Sequence, residues 1–158
     1  MMKDMSLLLS HTRDQALLTM VIEEASASAK QQNGYVGRTA VQKIVYFLQT
    51  VVPMDYRFDI HHYGPYCYEV TRDIEWLLAD GVIRDQSNQD NYSNYASADQ
   101  AGELLALHHD HVEQHRMAVR KVASSFVTLD PKQLELIATL DYLYRQLKAS
   151  GGSGPWKK

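Results

Sequence analysis

The chain has a single cysteine, Cys67, and no long apolar run among its 158 residues. One cysteine excludes an internal disulfide framework and suits a reducing compartment. The apolar stretch Leu7–Leu9 is too short for the centre of a signal peptide, and no stretch approaches the ~18 apolar residues of a membrane span. We therefore expect a cytoplasmic protein that makes no contact with a membrane.

Positive charge is not in excess, because 16 lysines and arginines stand against 19 aspartates and glutamates, for a formal net charge of -3. Strong generic affinity for nucleic acid needs clustered cations that displace counterions. The sequence also has no phosphate-binding loop, no glycine-rich dinucleotide fingerprint and no nucleophile elbow. These absences predict a protein that is not an enzyme and that has no cofactor, although they leave room for a local basic patch.

The length suits one domain with a sizeable core, and the 45% share of hydrophobic residues is ordinary for a globular protein. We expect a loose lead over residues 1–11, one domain over 12–149 and a flexible tail over 150–158. The tail prediction follows from the glycine-rich run 151–154.

Four helix starts are predicted from capping boxes, in which a cap side chain and a glutamine three residues later exchange hydrogen bonds with each other's backbone. The pairs are Thr12 with Gln15, Thr39 with Gln42, Ser97 with Gln100, and Asp130 with Gln133. Together with apolar stripes at helical spacing, they predict helices from about residues 12 to 32, 39 to 52, 97 to 126 and 130 to 149.

The middle of the chain predicts a strand, a helix and a hairpin. Alternation over Tyr56–His62 indicates a half-buried strand. Gly64–Pro65 predicts the start of a third helix and Gly81 its end, since proline suits the first helical position and glycine the residue after the last. The runs Val82–Gln86 and Tyr92–Ala96 predict two strands joined by a long, mobile tip.

The third helix places Tyr66, Val70, Ile74 and Leu77 on one apolar face, which we expect to pack into the core. A helix that ends at a glycine and runs into a short β-branched strand is typical of the passage from the third helix of a winged helix into its wing. The predicted class is α+β and mostly helical: a winged helix-turn-helix with a small antiparallel β-sheet and two additional C-terminal helices.

Three blocks of the sequence resemble the YwgA-like bacterial and archaeal proteins. Residues 37–48, GRTAVQKIVYFL, are similar to their "GRT-x-LQK-hydrophobic-YFL" signature. Their second block is matched by residues 63–66, YGPY, together with Val70, Asp73, Ile74, Leu77 and Gly81. Residues 134–140, LELIATL, resemble their C-terminal "ELIATL" block. The resemblance covers about residues 15–148 and implies a winged-helix-like fold.

A more distant resemblance is to the SocA-like, or Panacea, antitoxin domain, which also pairs an "LQKL-x-YF" helix with a "GP" helix start. This resemblance implies a toxin-neutralising protein that can act as a proteolytic adaptor. Neither resemblance supplies a catalytic motif. Both therefore favour a non-enzymatic binding module, antitoxin-like or regulatory, that acts through protein contacts.

Tyrosines cluster around the third helix and the hairpin, and tyrosine is enriched at protein interfaces because it joins apolar area to a polar tip. The candidate interaction surface consists of Tyr68, Glu69, Arg72, Arg84, Tyr92 and Tyr95. The expected partner is a protein, either a toxin or a regulatory protein. A homodimer is also expected, since Tyr142, Tyr144 and Leu147 leave apolar area beyond one face of the closing helix.

The alternative function is a winged-helix, DNA-binding transcriptional regulator, with the third helix in the major groove and the hairpin on the backbone. Its candidate contacts are Arg38, Lys43, Arg57, Arg72 and Arg84. The carboxylates of the third helix count against it, because Glu69, Asp73, Glu75 and Asp80 outnumber the single Arg72. A structural reading gives Asp73 a different role, as an anchor for Arg38 or Lys43 of the second helix.

The most metal-like segment is the histidine-rich run 108–115. His111 and His115 are four residues apart, and His108 comes three before His111, so the three share a helix face. That spacing can hold zinc, but it is also typical of a polar helix surface, and no cysteine lies nearby. The prediction is that no metal is bound, with these histidines as the candidate ligands if one is.

Overall fold

The computed structural model describes residues 11–87 and 92–151. Their helices are α1 (Arg13–Lys30), α2 (Arg38–Leu48), α3 (Tyr68–Ala79), α4 (Ala101–Leu107), α5 (His109–Phe126) and α6 (Pro131–Ala149). Their strands are β1 (Asp59–His61), β2 (Gly64–Tyr66), β3 (Ile83–Asp85) and β4 (Tyr95–Ser97). The α+β, mostly helical class is confirmed. Residues 1–10, 88–91 and 152–158 lie outside the described part, and with them most of the predicted lead, the hairpin tip and most of the tail.

Helix α1 lies at the centre of the hydrophobic core. Eleven of its 18 residues are buried, more than the single face that a surface helix hides. Leu17, Leu18, Val21 and Ile22 are fully buried. The helix packs along α5 and also touches α2, α3, α4 and β4, so it is covered on several sides.

Two of the four predicted capping boxes are confirmed. At the start of α1, Thr12 and Gln15 exchange side-chain-to-backbone hydrogen bonds. Asp130 and Gln133 do the same at the start of α6, where Pro131 occupies the first turn. Both helices therefore begin where the sequence predicts.

The other two capping boxes are wrong. Helix α2 follows Gly37 without a side-chain cap, and Gln42 is buried and bonded elsewhere. Ser97 lies in β4, and α4 begins without a side-chain cap. The predicted helix 97–126 is also broken at His108, whose backbone leaves the helical region with φ −119° and ψ 37°. Three helices, rather than two, follow the hairpin.

The predicted helix start at Gly64–Pro65 is wrong. These residues belong to β2, which pairs antiparallel with β1 so that Ile60 lies opposite Pro65. Helix α3 begins only at Tyr68, after Cys67. The predicted strand Tyr56–His62 is reduced to β1, and all three of its residues are exposed.

Gly64 is required by its backbone and by its neighbours. Its φ is +94°, a backbone conformation that residues with a side chain rarely adopt. A Cβ at this position would lie 2.6 Å from Thr139 Oγ1 and 3.2 Å from the Glu135 carbonyl oxygen, both in α6. The glycine therefore lets α6 pack directly against the backbone of β2.

The end of α3 matches the prediction. Val70, Ile74 and Leu77 are buried, and Gly81, with φ +74°, follows the helix and leads into β3. Strands β3 and β4 pair antiparallel, with Ile83 opposite Ser97. Because this hairpin does not pair with β1 and β2, the predicted small sheet is two separate two-stranded sheets.

Helix α6 packs on α2 and β2. Leu134 and Ala138 are its buried residues. The Tyr46 hydroxyl of α2 donates a 2.7 Å hydrogen bond to Asp141 Oδ2, and Arg145 Nε donates to the same oxygen. The bond from Tyr46 ties α6 to α2, and the bond from Arg145 lies within α6. Over the described ranges, no helix combines the length and apolar character needed to cross a bilayer.

Candidate functional site

The outward face of α3 carries a stripe of Tyr68, Arg72 and Trp76, which we call the α3 stripe. Four-residue spacing places the three side chains on one face of the helix. Tyr68 is 76% exposed and Trp76 is 54% exposed. The guanidinium carbon of Arg72 lies 5.7 Å from the centre of the Trp76 ring, within the range of a cation–π interaction.

Arg72 is held in this position from below. Its Nε and Nη2 donate to Asp73 Oδ1 over 3.3 Å and 3.2 Å. The guanidinium is therefore fixed between a buried carboxylate and an exposed ring, which leaves it less conformational freedom to lose on binding. Tyrosine, tryptophan and arginine are the residue types enriched at the energetic centres of protein interfaces.

The edges of the α3 stripe are acidic. Helical geometry places Glu69 along one edge and Glu75 along the other. Glu75 is exposed and Glu69 is half-buried. The stripe therefore presents aromatic area and one cation inside an acidic border.

Asp73 is buried, so its predicted place on a solvated helix face is wrong. The predicted role as an anchor for Arg38 or Lys43 is also wrong, because its partners are other residues. Tyr56 donates a 2.7 Å hydrogen bond to its Oδ2, and Gln15 Nε2 donates a 3.0 Å bond to its Oδ1. Burial, followed by the charge of Asp73, raises the pKa of Tyr56. Asp73 therefore ties α3 to α1 and to the segment before β1.

His11 extends this network and lies at the end of the expected loose lead, where it is buried. Its Nδ1 is 2.6 Å from Gln15 Oε1, and its Nε2 is 2.7 Å from Asp80 Oδ2. Gln15 directs its amide nitrogen at Asp73, so its oxygen faces His11. Both ring nitrogens thus face acceptors, and the ring donates to both only when it is doubly protonated.

Gln42 of α2 bonds to the residues at the start of α3. Its Nε2 donates to the Cys67 carbonyl oxygen over 2.9 Å, and its Oε1 accepts from the Cys67 N–H over 2.9 Å. The amide also donates to Thr71 Oγ1. In this way α2 holds the backbone at the link between β2 and α3.

Lys43 makes a parallel contact, because its Nζ donates to the Pro65 carbonyl oxygen over 2.8 Å. Only 2% of the residue is exposed. Burial lowers its pKa to about 8, although the charge of Glu135 acts in the opposite direction. The prediction that Lys43 contacts nucleic acid is therefore wrong, since its ammonium group points into the protein.

The structure distributes the other predicted surface residues unevenly. Tyr92 is exposed, but Tyr95 is only 4% exposed and contributes to the core, so its assignment to the interaction surface is wrong. Arg84 lies in β3 next to Asp85 and is exposed. The stripe residue Trp76 was missed by the sequence analysis, although its spacing of four from Arg72 was a usable signal.

The predicted DNA-contacting arginines lie on different elements of the fold. Arg72 is in α3 and Arg84 is in β3. Arg38 lies at the start of α2, close enough to Asp85 to affect the pKa of that carboxyl. Burial raises the pKa of Asp85, but hydrogen bonds from the Asn94 and Ser87 backbone, together with the charge of Arg38, bring it below its ordinary value. Arg57 precedes β1 and is exposed. The carboxylate of Asp85 near Arg38 weakens the attraction of that arginine for phosphate.

The histidine-rich run does not assemble a metal site. Among the described residues, no group of three or more histidine, cysteine, aspartate or glutamate side chains is placed to hold a metal ion. His108 instead has its Nε2 3.2 Å from the His11 carbonyl oxygen. His111 and His115 lie edge to face with ring centres 4.9 Å apart, and burial, then His115, lowers the pKa of His111.

A second exposed surface, not expected at this extent, is the outward face of α6. The residues that share this exposure are Leu136, Ile137, Leu140, Leu143 and Tyr144. The sequence analysis had identified only Tyr142, Tyr144 and Leu147, and of these Tyr142 and Leu147 are half-buried.

Helices α3 and α6 both present large aromatic or apolar side chains to solvent. The buried polar groups Asp73, His11 and Lys43 are engaged with other protein groups. In the comparisons with known proteins, no family model and no curated protein matches this chain.

Proposed function

We propose that this chain is a non-enzymatic protein-binding module, antitoxin-like or regulatory in role, and that it docks its partner through the α3 stripe. The observation that carries the proposal is the row of Tyr68, Arg72 and Trp76 exposed to solvent on α3. These three residue types are enriched at the centres of protein interfaces, where a partner covers them. Arg72 is already ordered, which reduces the entropy lost on binding.

The winged-helix interpretation is part of the same proposal. Three helices precede the β3–β4 hairpin, as in a winged helix, and Gly81 leads from α3 into that hairpin, which has the position of a wing. The strands β1 and β2 lie between α2 and α3, in place of the short turn of a helix-turn-helix. In that arrangement α3 is the helix that usually contacts the ligand. The α3 stripe therefore lies on the element that this fold class uses for recognition.

The chemistry of the α3 stripe favours a particular kind of partner surface. Two aromatic rings need an apolar depression, and an acidic border formed by Glu69 and Glu75 favours a cationic rim around it. A DNA duplex offers no cationic rim, since the grooves that admit a helix are bordered by phosphates. The DNA-binding alternative therefore has less support than binding to a basic protein.

A photo-crosslinking amino acid placed on α3 tests the proposal in cells of the source organism. Position 75 lies beside the stripe, and replacement of Glu75 leaves Tyr68, Arg72 and Trp76 in place. We expect one dominant crosslinked protein, and we expect its yield to fall when Trp76 is changed to alanine in the same chain. The matched control is Met117→Ala on α5, another exposed large apolar residue that lies in a different helix.

The proposal fails if position 75 gives no crosslink above the level of a probe at position 117. It also fails if Trp76→Ala and Met117→Ala leave equal yields of the same adduct, because an interface centred on the α3 stripe depends on the ring of Trp76.

A further inference from the structure

The charge of Lys43 is buried without an ion pair. The residue is 2% exposed, and its Nζ donates one hydrogen bond, to the Pro65 carbonyl oxygen. Glu135 of α6 attracts the ammonium group, but no ion pair of Lys43 forms among the described residues. An ammonium group has three donors, and buried charges are normally paired. Lys43 can therefore serve a further acceptor.

Lys43 lines a cavity of about 300 Å³ between α2, α3 and the β3–β4 hairpin. The wall that α2 contributes consists of Arg38, Thr39, Gln42 and Lys43, which helical spacing places on one face. The amide of Gln42 is taken up by its bonds to the start of α3. The donors that this wall offers to a ligand are the guanidinium, the hydroxyl and the ammonium group of the other three residues.

The remaining wall of the cavity is apolar and carries two carboxylates. Its apolar and aromatic side chains come from β2, α3 and β4: Tyr66, Ile74, Leu78 and Tyr95. Glu75 and Asp85 offset the charges of Arg38 and Lys43, so the lining has no net charge. A ligand with one negative charge is therefore favoured over a doubly charged phosphate, which the two carboxylates repel more strongly.

We propose that this cavity binds a small organic monocarboxylate, with its carboxylate on Lys43 and Arg38 and its apolar part against Ile74 and Leu78. The planar guanidinium of Arg38 offers paired donors that match a carboxylate. The carboxylate also supplies the counter-charge that a buried ammonium group requires. This site does not depend on the function proposed for the α3 stripe.

The pKa of Lys43 supports this assignment. Burial lowers it to about 8, against the opposing effect of Glu135. The protein alone thus compensates the ammonium charge only in part, and at neutral pH the group is still mostly protonated. A bound carboxylate would raise this pKa, so carboxylate and proton are expected to bind cooperatively.

Titration of the full chain with benzoate and with hexanoate, followed by ¹H–¹⁵N NMR at pH 7, tests the site. We expect saturable shifts of the backbone amides over residues 38–43 and 74–78. The neutral amides of the two acids, benzamide and hexanamide, have the same apolar parts. They should bind at least about tenfold more weakly, because they lack the charge-assisted hydrogen bonds.

The affinity for either carboxylate should fall about tenfold between pH 7 and pH 9, because the protonated fraction of Lys43 falls by that factor. The other charged or titratable groups that face Lys43 or the cavity include Arg38, Tyr66, Glu75, Asp85 and Glu135. All of these are retained in Lys43→Met, which should bind weakly at both pH values.

Arg38→Gln tests the second cation and, because Arg38 is exposed, retains the fold whether or not Lys43→Met does. It should weaken carboxylate binding several-fold at pH 7. The matched control is Arg57→Gln, at an exposed arginine outside the cavity, which should bind like the natural chain. Circular dichroism checks that each variant is folded.

The proposal is overturned if neither carboxylate gives saturable shifts up to about 10 mM, a result that would leave the free donors of Lys43 to water. Equal affinities for each carboxylate and its amide also overturn it, as does an affinity that is the same at pH 7 and pH 9. Equal binding by Arg38→Gln and Arg57→Gln would contradict the role of Arg38 and the cavity with it.

Discussion

Asp73 is a buried carboxylate that accepts hydrogen bonds from three other residues. Tyr56 and Gln15 both donate to its carboxylate inside the protein, and Arg72 donates from the surface. Removal of the carboxylate leaves a buried hydroxyl and a buried amide without their acceptor, and each such loss costs roughly 1–3 kcal/mol.

We predict that Asp73→Ala lowers the free energy of unfolding by about 3 kcal/mol, measured by urea denaturation. The control is Glu75→Ala, two residues further along α3, where the side chain is exposed. That change should alter the stability by less than about 0.5 kcal/mol. Equal stabilities for the two variants would mean that the Asp73 network contributes nothing.

Lys43 gives the protein a specific dependence on pH. Its folded pKa is lowered to about 8 from the ordinary value of 10.5. Between these two values the unfolded chain binds more protons than the folded one, so the free energy of unfolding rises as the pH is raised. Below pH 8 the group is charged in both states and the cost of burying it is present in full.

We predict that this rise disappears in Lys43→Met, which keeps the length of the side chain and has no proton to lose. The difference in unfolding free energy, natural chain minus variant, should increase by roughly 1–3 kcal/mol between pH 7 and pH 10. Subtracting the variant removes the effect of tyrosine ionisation on the unfolding free energy, because both proteins have the same tyrosines. A difference that stays constant with pH would show that Lys43 has an ordinary pKa.

Among the elements, β2 is the one whose position depends most on a single residue type. Gly64 combines a positive φ with the close approach of Thr139 from α6. We predict that Gly64→Ala lowers the free energy of unfolding by about 2–4 kcal/mol, through backbone strain and through the displacement of α6.

The matched control for this change is Gly102→Ala in α4, where an added Cβ meets nothing within 4 Å. There the substitution should raise thermal stability slightly, by about 0.5–1 kcal/mol, because alanine is the better helix former. If both substitutions lowered the free energy of unfolding, the effect at Gly64 would reflect a general sensitivity to replacing glycine and not the packing between β2 and α6.

The elements with local signals were predictable from the sequence, and those that depend on distant contacts were not. The starts of α1 and α6 and the end of α3 depend on residues next to them: Thr12, Asp130 and Gly81. The strand at Gly64 depends on pairing with β1 and on packing against Glu135 and Thr139 of α6, which are distant in the sequence. No proline or glycine at His108 indicates in the sequence that the helix is broken there.

The candidate site was predictable in its location but not in its composition. Tyr68 and Arg72 were identified on α3, and the stripe is completed by Trp76. Tyr95 was misassigned, because a strand of three residues gives too short a pattern to distinguish its inward face. Gln42 and Lys43 have inward roles that only the fold of β2 against α2 explains.

On the scale of the whole molecule, negative charge limits the ligands that the protein can bind. The net charge is -3, and the α3 stripe has an acidic border. We predict that fluorescence anisotropy with a labelled DNA duplex detects negligible binding at low salt, since few phosphates can be neutralised. Tight binding that weakens steeply with added salt and is lost in Arg84→Ala would favour the DNA-binding alternative.

The most direct measurement of the central claim is the affinity of the crosslinked partner, purified, for three forms of this chain by isothermal titration calorimetry. We predict that Trp76→Ala binds at least about tenfold more weakly than the natural chain, and that Met117→Ala binds with unchanged affinity. Trp76→Ala that is folded and binds as tightly as the natural chain would contradict the claim that the α3 stripe is the docking surface.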